Sequence, residues 1–163
     1  LVNKRSGKMN RSLKVIFIIA TLVLVGCTKQ IIKSGVTDNA ETEIKLMHSY
    51  CYKNLYGNLV TNANYSIAYK WCAMSAEHGY PKSLTLLAEM YYLGLYVEQN
   101  YQHAYDYYLM AADKNNAHAQ WMLYDIYSNG LGREASELEA KEWLFKAASS
   151  GHERAIKQAA LYE

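Results

Sequence analysis

The chain has 163 residues, 17 of them basic and 15 acidic, for a formal net charge of +2. Five of the basic residues, Lys4, Arg5, Lys8, Arg11 and Lys14, precede Cys27 and no acid does, which leaves 12 basic against 15 acidic residues from there on. With that balance and no basic patch, the raw positive charge cannot be read as a sign of a nucleic-acid partner.

Those five cations form a basic leader, followed by an apolar run from Val15 to Val25. The run is too short to span a bilayer, which takes about 20 apolar residues. It ends in Leu24-Val25-Gly26-Cys27, which resembles the bacterial lipobox. The resemblance implies loss of residues 1–26 as a signal peptide, diacylation of the Cys27 thiol and acylation of the new amine. Met9 is the expected translation start. Thr28, where aspartate would favour retention, implies sorting to the outer membrane, facing the periplasm. Residues 27–43 are polar and mixed without a sustained period, and read as the lipidated cysteine and a flexible tether. Sixteen or so such residues span about 20–24 Å.

From residue 44 onward the chain repeats itself, and residues 44–163 form one domain. Trp71, Tyr107 and Trp143 are spaced by 36 residues; Ala68, Ala104 and Ala140 precede them at a fixed step, and Ala76, Ala112 and Ala148 follow. Gly79, Asn115 and Gly151 close each unit. A period of this length marks a solenoid, whose units bury their apolar faces only by stacking. Within a unit, Leu123, Ile126 and Tyr127, then Ala140, Trp143, Leu144 and Ala147, follow helical spacing on either side of Ser128-Asn129-Gly130-Leu131-Gly132. The predicted fold is all-α: about three stacked helix-turn-helix hairpins and a partial helix from Ala155 onward.

The pattern Ala-x3-Leu-x3-Tyr-x2-Gly, then Ala-x2-Trp-x3-Ala-Ala-x2-Gly, resembles the Sel1-like repeats, relatives of the tetratricopeptide repeat. Ala119, Leu123, Tyr127, Gly130, Ala140, Trp143, Ala147, Ala148 and Gly151 carry it best, and the first unit is degenerate, with Cys51 and Leu55 at the Leu and Tyr positions. Tyr52, Ala88 and Tyr124 stand where the family has glycine, and bulk there should widen the local packing or turn a ring outward. The resemblance implies a concave face lined by the first helix of each hairpin. Carried over by position, that face holds Ser49, Lys53 and Tyr56, then Lys82, Thr85, Glu89 and Tyr92, then His118, Trp121, Asp125 and Ser128. Lys53, Tyr56, Thr85, Glu89, Tyr92, Trp121 and Asp125 are the candidate partner-binding residues. Trp121 has a second reading, as a ring packed between neighbouring units.

With Cys27 acylated, Cys51 and Cys72 remain, an even number in an oxidising compartment. Their midpoint falls near the centre of the loop between the first two helices, which places them at similar height on facing helices. A disulfide is expected, the alternative being two small buried thiols. His48, His78, His103, His118 and His152 make no metal-ligand spacing, and no nucleophile, phosphate-loop or dinucleotide motif occurs. No metal or cofactor is expected. The function that follows is a non-enzymatic, membrane-anchored module binding a protein or peptide. By resemblance to other small lipoproteins of this plan, the alternative is immunity against a secreted antibacterial effector such as a lipase. A cell-wall-binding or weakly β-lactam-hydrolysing enzyme ranks last, because the paired cysteines of every unit in that group are missing.

Overall fold

A computed structural model of the protein describes residues 37–57 and 62–162, which contain seven helices and no strand. They are α1 (Thr37–Tyr56), α2 (Tyr65–Glu77), α3 (Pro81–Leu93), α4 (Tyr101–Ala112), α5 (Ala117–Asn129), α6 (Glu137–Ser149) and α7 (Glu153–Ala159). The signal peptide, Cys27 and the tether up to residue 36 lie outside the described residues. The chain divides into units Leu1–Glu41 and Thr42–Glu163, and the repeats fall in the second. None of the described helices is long and apolar enough to cross a membrane.

One boundary needs correction. Residues 37–43, read from sequence as tether, are the opening turns of α1. Ala40, Glu41 and Glu43 are good helix formers, and acids near a helix start favour its dipole, so the segment coils without any apolar period.

The 36-residue step is visible in the hydrogen bonds of the turns. Leaving α2, α4 and α6, the chain makes the same backbone bond three times: Tyr80 N to Ser75 O, Asn116 N to Ala111 O and His152 N to Ala147 O. Each of these turns needs one residue in the left-handed region, and Gly79, Asn115 and Gly151 supply it at φ +70°, +58° and +87°. Asparagine tolerates that region better than most side chains, which explains the single replacement of glycine. Asn64, Asn100 and Asn116 cap α2, α4 and α5, each accepting from the backbone N–H three residues on.

Small residues sit where helices meet. Ala68, Ala104, Ala111, Ala119 and Ala147 are completely buried, and Ala140 and Ala76 nearly so. Their lack of bulk lets consecutive helices approach, and the larger Leu84, Leu87, Met90, Tyr108, Leu123 and Ile126 fill the space between layers. Trp71, Tyr107 and Trp143 border this core half-buried. A ladder of tyrosine pairs links each second helix to the next first helix: Tyr69 to Tyr91 at 3.0 Å and Tyr105 to Tyr127 at 3.1 Å, hydroxyl to hydroxyl. The bond to Tyr69, then burial, pushes Tyr91 up to about 12; for Tyr105 burial leads, and the value is again about 12. Arg133 closes the ladder, its guanidinium 3.3 Å from the centre of the Tyr105 ring and 2.8 Å from the Tyr127 hydroxyl.

The α1–α2 hairpin is cross-linked. There Cys51 and Cys72 form the disulfide, with Cα atoms 4.9 Å apart. Their 36-residue equivalents in the later hairpins are Leu87 and Tyr108, then Leu123 and Leu144, all buried. Of the three glycine replacements, Tyr52 does turn outward, Ala88 is completely buried, and Tyr124 packs against Trp121.

Two stability outcomes follow. The bond between Cys51 and Cys72 closes a loop with a sequence separation of 21. The double variant C51A/C72A should therefore lose on the order of 3 kcal/mol in urea unfolding. A Cβ at Gly132 would meet Tyr101 Cβ at 2.7 Å and its carbonyl carbon at 3.0 Å, whereas at Gly151 it would meet nothing within 4 Å. G151A should cost about 1 kcal/mol through its positive φ alone. G132A should cost at least about twice that, because backbone must also move.

Candidate concave-face site

Helices α1, α3 and α5 share one face, and their 36-residue equivalents form rows across it. One row is Lys53, Glu89, Asp125; the next is Tyr56, Tyr92, Ser128; two turns away lie Lys82 and His118. Two rungs tie the rows together. Tyr56 donates its hydroxyl to Glu89 Oε2 at 2.5 Å, and one repeat later Tyr92 donates to Asp125 Oδ2 at 2.8 Å. Burial, and then the bond to the carboxylate, raises both phenols, so each remains a hydrogen-bond donor at any ordinary pH. The opposite oxygens are held too. Glu89 Oε1 lies 3.0 Å from His118 Nε2, and Asp125 Oδ1 accepts from Asn129 Nδ2 at 2.9 Å.

Between α1, α3 and α5 a shallow groove of about 400 Å³ opens, lined by His48, Tyr52, Tyr56, Lys82, Thr85, Leu86, Glu89, Asn116 and His118. Tyr52 and Tyr56 are more than half exposed, and their rings meet at 4.8 Å. Leu86 and Thr85 form a buried floor beneath them. The aromatic wall offers apolar area with polar tips, and Glu89 offers a fixed acceptor, the usual ingredients of a recognition surface.

The candidates from sequence divide accordingly. Tyr56, Thr85 and Glu89 come together in the groove, and the Tyr92–Asp125 rung adjoins them. Thr85 is only 4% exposed, and its hydroxyl is turned back to Pro81 O at 2.9 Å, so a visitor meets little more than its surface. Lys53 is exposed and does not line the groove. Trp121 stacks on His152 at 5.1 Å and joins Leu144, Ala147, Ala155 and Ala159 in a second small core, so its ring holds α7 to the third hairpin. Tyr52, His48, Leu86 and Asn116 were not among the candidates. Tyr52 alone had a signal, as bulk at a glycine position.

At His48 a histidine and a serine meet. Its Nδ1 lies 3.1 Å from Ser83 Oγ; Ser83 donates to Ser75 Oγ, and Ser75 to Ile44 O. Both hydroxyl protons are thus committed onward, which makes His48 the donor to Ser83. Ser83 is completely buried. The chain of bonds satisfies polar atoms inside the first hairpin and exposes no nucleophile. Among the described residues no three His, Cys, Asp or Glu are grouped to hold a metal.

The architecture is that of an α-solenoid of antiparallel hairpins. Sel1 repeats match residues 46–80, 81–116 and 117–152, and the chain belongs to the Sel1 repeat family, whose members are in general scaffolds for protein–protein interaction and not enzymes. Among solved structures it is similar to a Sel1 repeat protein from Oxalobacter formigenes, at 30% identity and a TM-score of 0.65, over 77% of this chain and 94% of that one. It also resembles c5321, a protective antigen of uropathogenic Escherichia coli with this repeat fold. There identity is 28% and the TM-score 0.66, over 75% of this chain but only 26% of the larger protein. Helicobacter pylori cysteine rich protein B shares the fold at 23% identity, with a TM-score of 0.58 and coverage of 76% and 97%. Comparison with curated proteins gives no match.

Two histidines make stability depend on pH. Burial, and then the charge of Lys82, lowers His48; burial, then His118 and Arg154, lowers His152, whose Nδ1 also accepts from Ala155 N. Both protonate less readily in the folded chain than in the unfolded one. Their contribution is therefore complete above an unfolded value of about 6.5 and is lost as pH falls through the folded values. The urea midpoint should be lower at pH 5.5 than at pH 7.5, and H48Q should narrow the difference.

Proposed function

We propose that the protein is a lipid-anchored component of a bacterial cell envelope whose concave groove holds a segment of a partner protein. The observation that carries this reading is the groove itself. Two exposed tyrosine rings stand over an apolar floor, beside a carboxylate already oriented by Tyr56 and His118. Groups fixed before binding lose little freedom when a ligand arrives, so such a surface binds more tightly than its area would indicate. The family's general role as an interaction scaffold supports the same reading. Anchoring rests on the lipobox-like Leu24-Val25-Gly26-Cys27, and two or more acyl chains there would make attachment stable where one would not. Thr28 supports an outer-membrane position facing the periplasm.

The test is a photo-crosslinking residue placed at Tyr52, in the groove, or at Leu138, an exposed position on α6 that does not line it. In intact cells the Tyr52 probe should capture a discrete protein and the Leu138 probe should not. Equal capture from both positions, or none from Tyr52, removes the groove as the docking surface. Capture of one secreted toxin near one-to-one stoichiometry would narrow the role to immunity. The anchor is tested separately: C27S should abolish incorporation of labelled palmitate and release the protein from the membrane fraction.

A further inference from the structure

The polar groups of the groove divide into those already bonded and those left over. Both oxygens of Glu89 are engaged, one by Tyr56 and the other by His118. Thr85 gives its hydroxyl proton to Pro81 O, and His48 Nδ1 is bonded to Ser83. Two of the groups left over are donors. Lys82 lines the groove, and among the described residues no carboxylate pairs with it. Asn116 commits its Oδ1 to the N–H of Ala119, which leaves both N–H groups of its amide without a partner among the described residues.

Their place in the fold adds charge of the same sign. Lys82 is the second residue of α3 and Asn116 is the N-cap of α5, so this end of the groove lies at the starts of two 13-residue helices. Helix starts carry partial positive charge. The N-cap of α3 is Tyr80, which makes no side-chain cap bond, so no capping oxygen offsets that end. The Lys82 charge also reaches into the groove: burial, and then this ammonium, hold His48 below its ordinary value.

We propose that the partner segment held in the groove presents an acidic side chain, glutamate or aspartate, to Lys82 and Asn116. This inference rests on the groove being the docking surface proposed above. An ionised carboxylate only accepts hydrogen bonds, so it matches an ammonium and an amide N–H pair and leaves no donor idle. Glu89 does not prevent this. Lys82 and Glu89 are seven residues apart on α3, which is about 10 Å along the helix axis. Attraction to Lys82 acts at about 3 Å, whereas repulsion from Glu89 acts across roughly one Debye length. The nearer charge decides. The exposed ring of Tyr52 and the floor at Leu86 are left for apolar parts of the same segment.

The test uses the full chain in detergent and fluorescence anisotropy at low salt. The probes are labelled nonapeptides, Gly-Leu-Glu or Gly-Leu-Gln repeated three times, both capped, and the glutamine peptide again with a free C-terminus. The capped glutamate peptide should bind at least tenfold more tightly than the capped glutamine peptide. K82Q alters an exposed side chain; it should remove at least fivefold of the glutamate peptide's affinity and leave the glutamine peptide unchanged. K157Q, on α7 and outside the groove, should change neither. N116D keeps an N-cap oxygen for α5 but replaces the amide donors by a like charge, so it should weaken the glutamate peptide at least as much as K82Q. Equal binding of the two capped peptides, no binding of the glutamate peptide at millimolar concentration, or no effect of K82Q would each overturn the inference. If the glutamine peptide with a free C-terminus matches the capped glutamate peptide, the site reads a chain terminus and the side-chain assignment falls. If the Tyr52 probe captures a partner in cells while the two capped peptides bind alike, this inference fails and the docking reading stands. If that probe captures nothing, the docking reading itself fails.

Discussion

A single pair of short helices has more apolar surface than it can bury against itself, and in this protein alanine at the contact points lets the next pair close over the remainder. Ala68, Ala104 and Ala140 allow each second helix to approach its neighbours, and the larger Leu, Met and Tyr side chains occupy the volume between layers. Because a fixed set of small positions governs the approach, the spacing of the chain governs the spacing of the layers. The same three turns, with the same backbone bond and one left-handed residue each, recur at that interval. Packing dense enough to exclude water is intolerant of drift, so the sequence keeps step without insertion.

That regularity is what turns separate side chains into a surface. Tyr56 reaches Glu89 and Tyr92 reaches Asp125 by one geometry used twice, since a residue on one first helix faces its neighbour's counterpart 33 positions on. The pattern ends after the third hairpin, where Ser128 replaces the tyrosine and Leu161 the acid. The acids of this row are thus confined to the second and third hairpins. At the far end Trp121 and His152 substitute ring stacking for hydrogen bonding, and they hold α7 in place of a complete hairpin.

Much of this was legible in the residues. The period, the hairpins, the left-handed positions at Gly79, Asn115 and Gly151, and the pairing of Cys51 with Cys72 all depend on features that repeat or on simple antiparallel geometry. What was not legible depends on rotamers and on neighbours distant in sequence. Thr85 occupies a groove position, yet its hydroxyl finds a carbonyl four residues back and the side chain is buried. Trp121 occupies the equivalent position one repeat on and packs against the core that includes α7, the second of the two readings its position offers in the sequence. His48 joined the site because Ser83, 35 residues later, offers it a partner. The start of α1 escaped notice for another reason: acids and alanine can build a helix that buries nothing, and such a helix has no period to read.

The disulfide has a consequence for when the groove exists at all. Helix α1 supplies His48, Tyr52 and Tyr56 as an aromatic wall of the groove, and its hairpin carries the disulfide. What fixes that wall is covalent, where the other hairpins rely on leucine and tyrosine. A newly made chain with both thiols still reduced would hold that wall by the packing of Leu55 and Ala68 alone, without the covalent link. The position of the aromatic wall is thereby tied to the redox state of the chain.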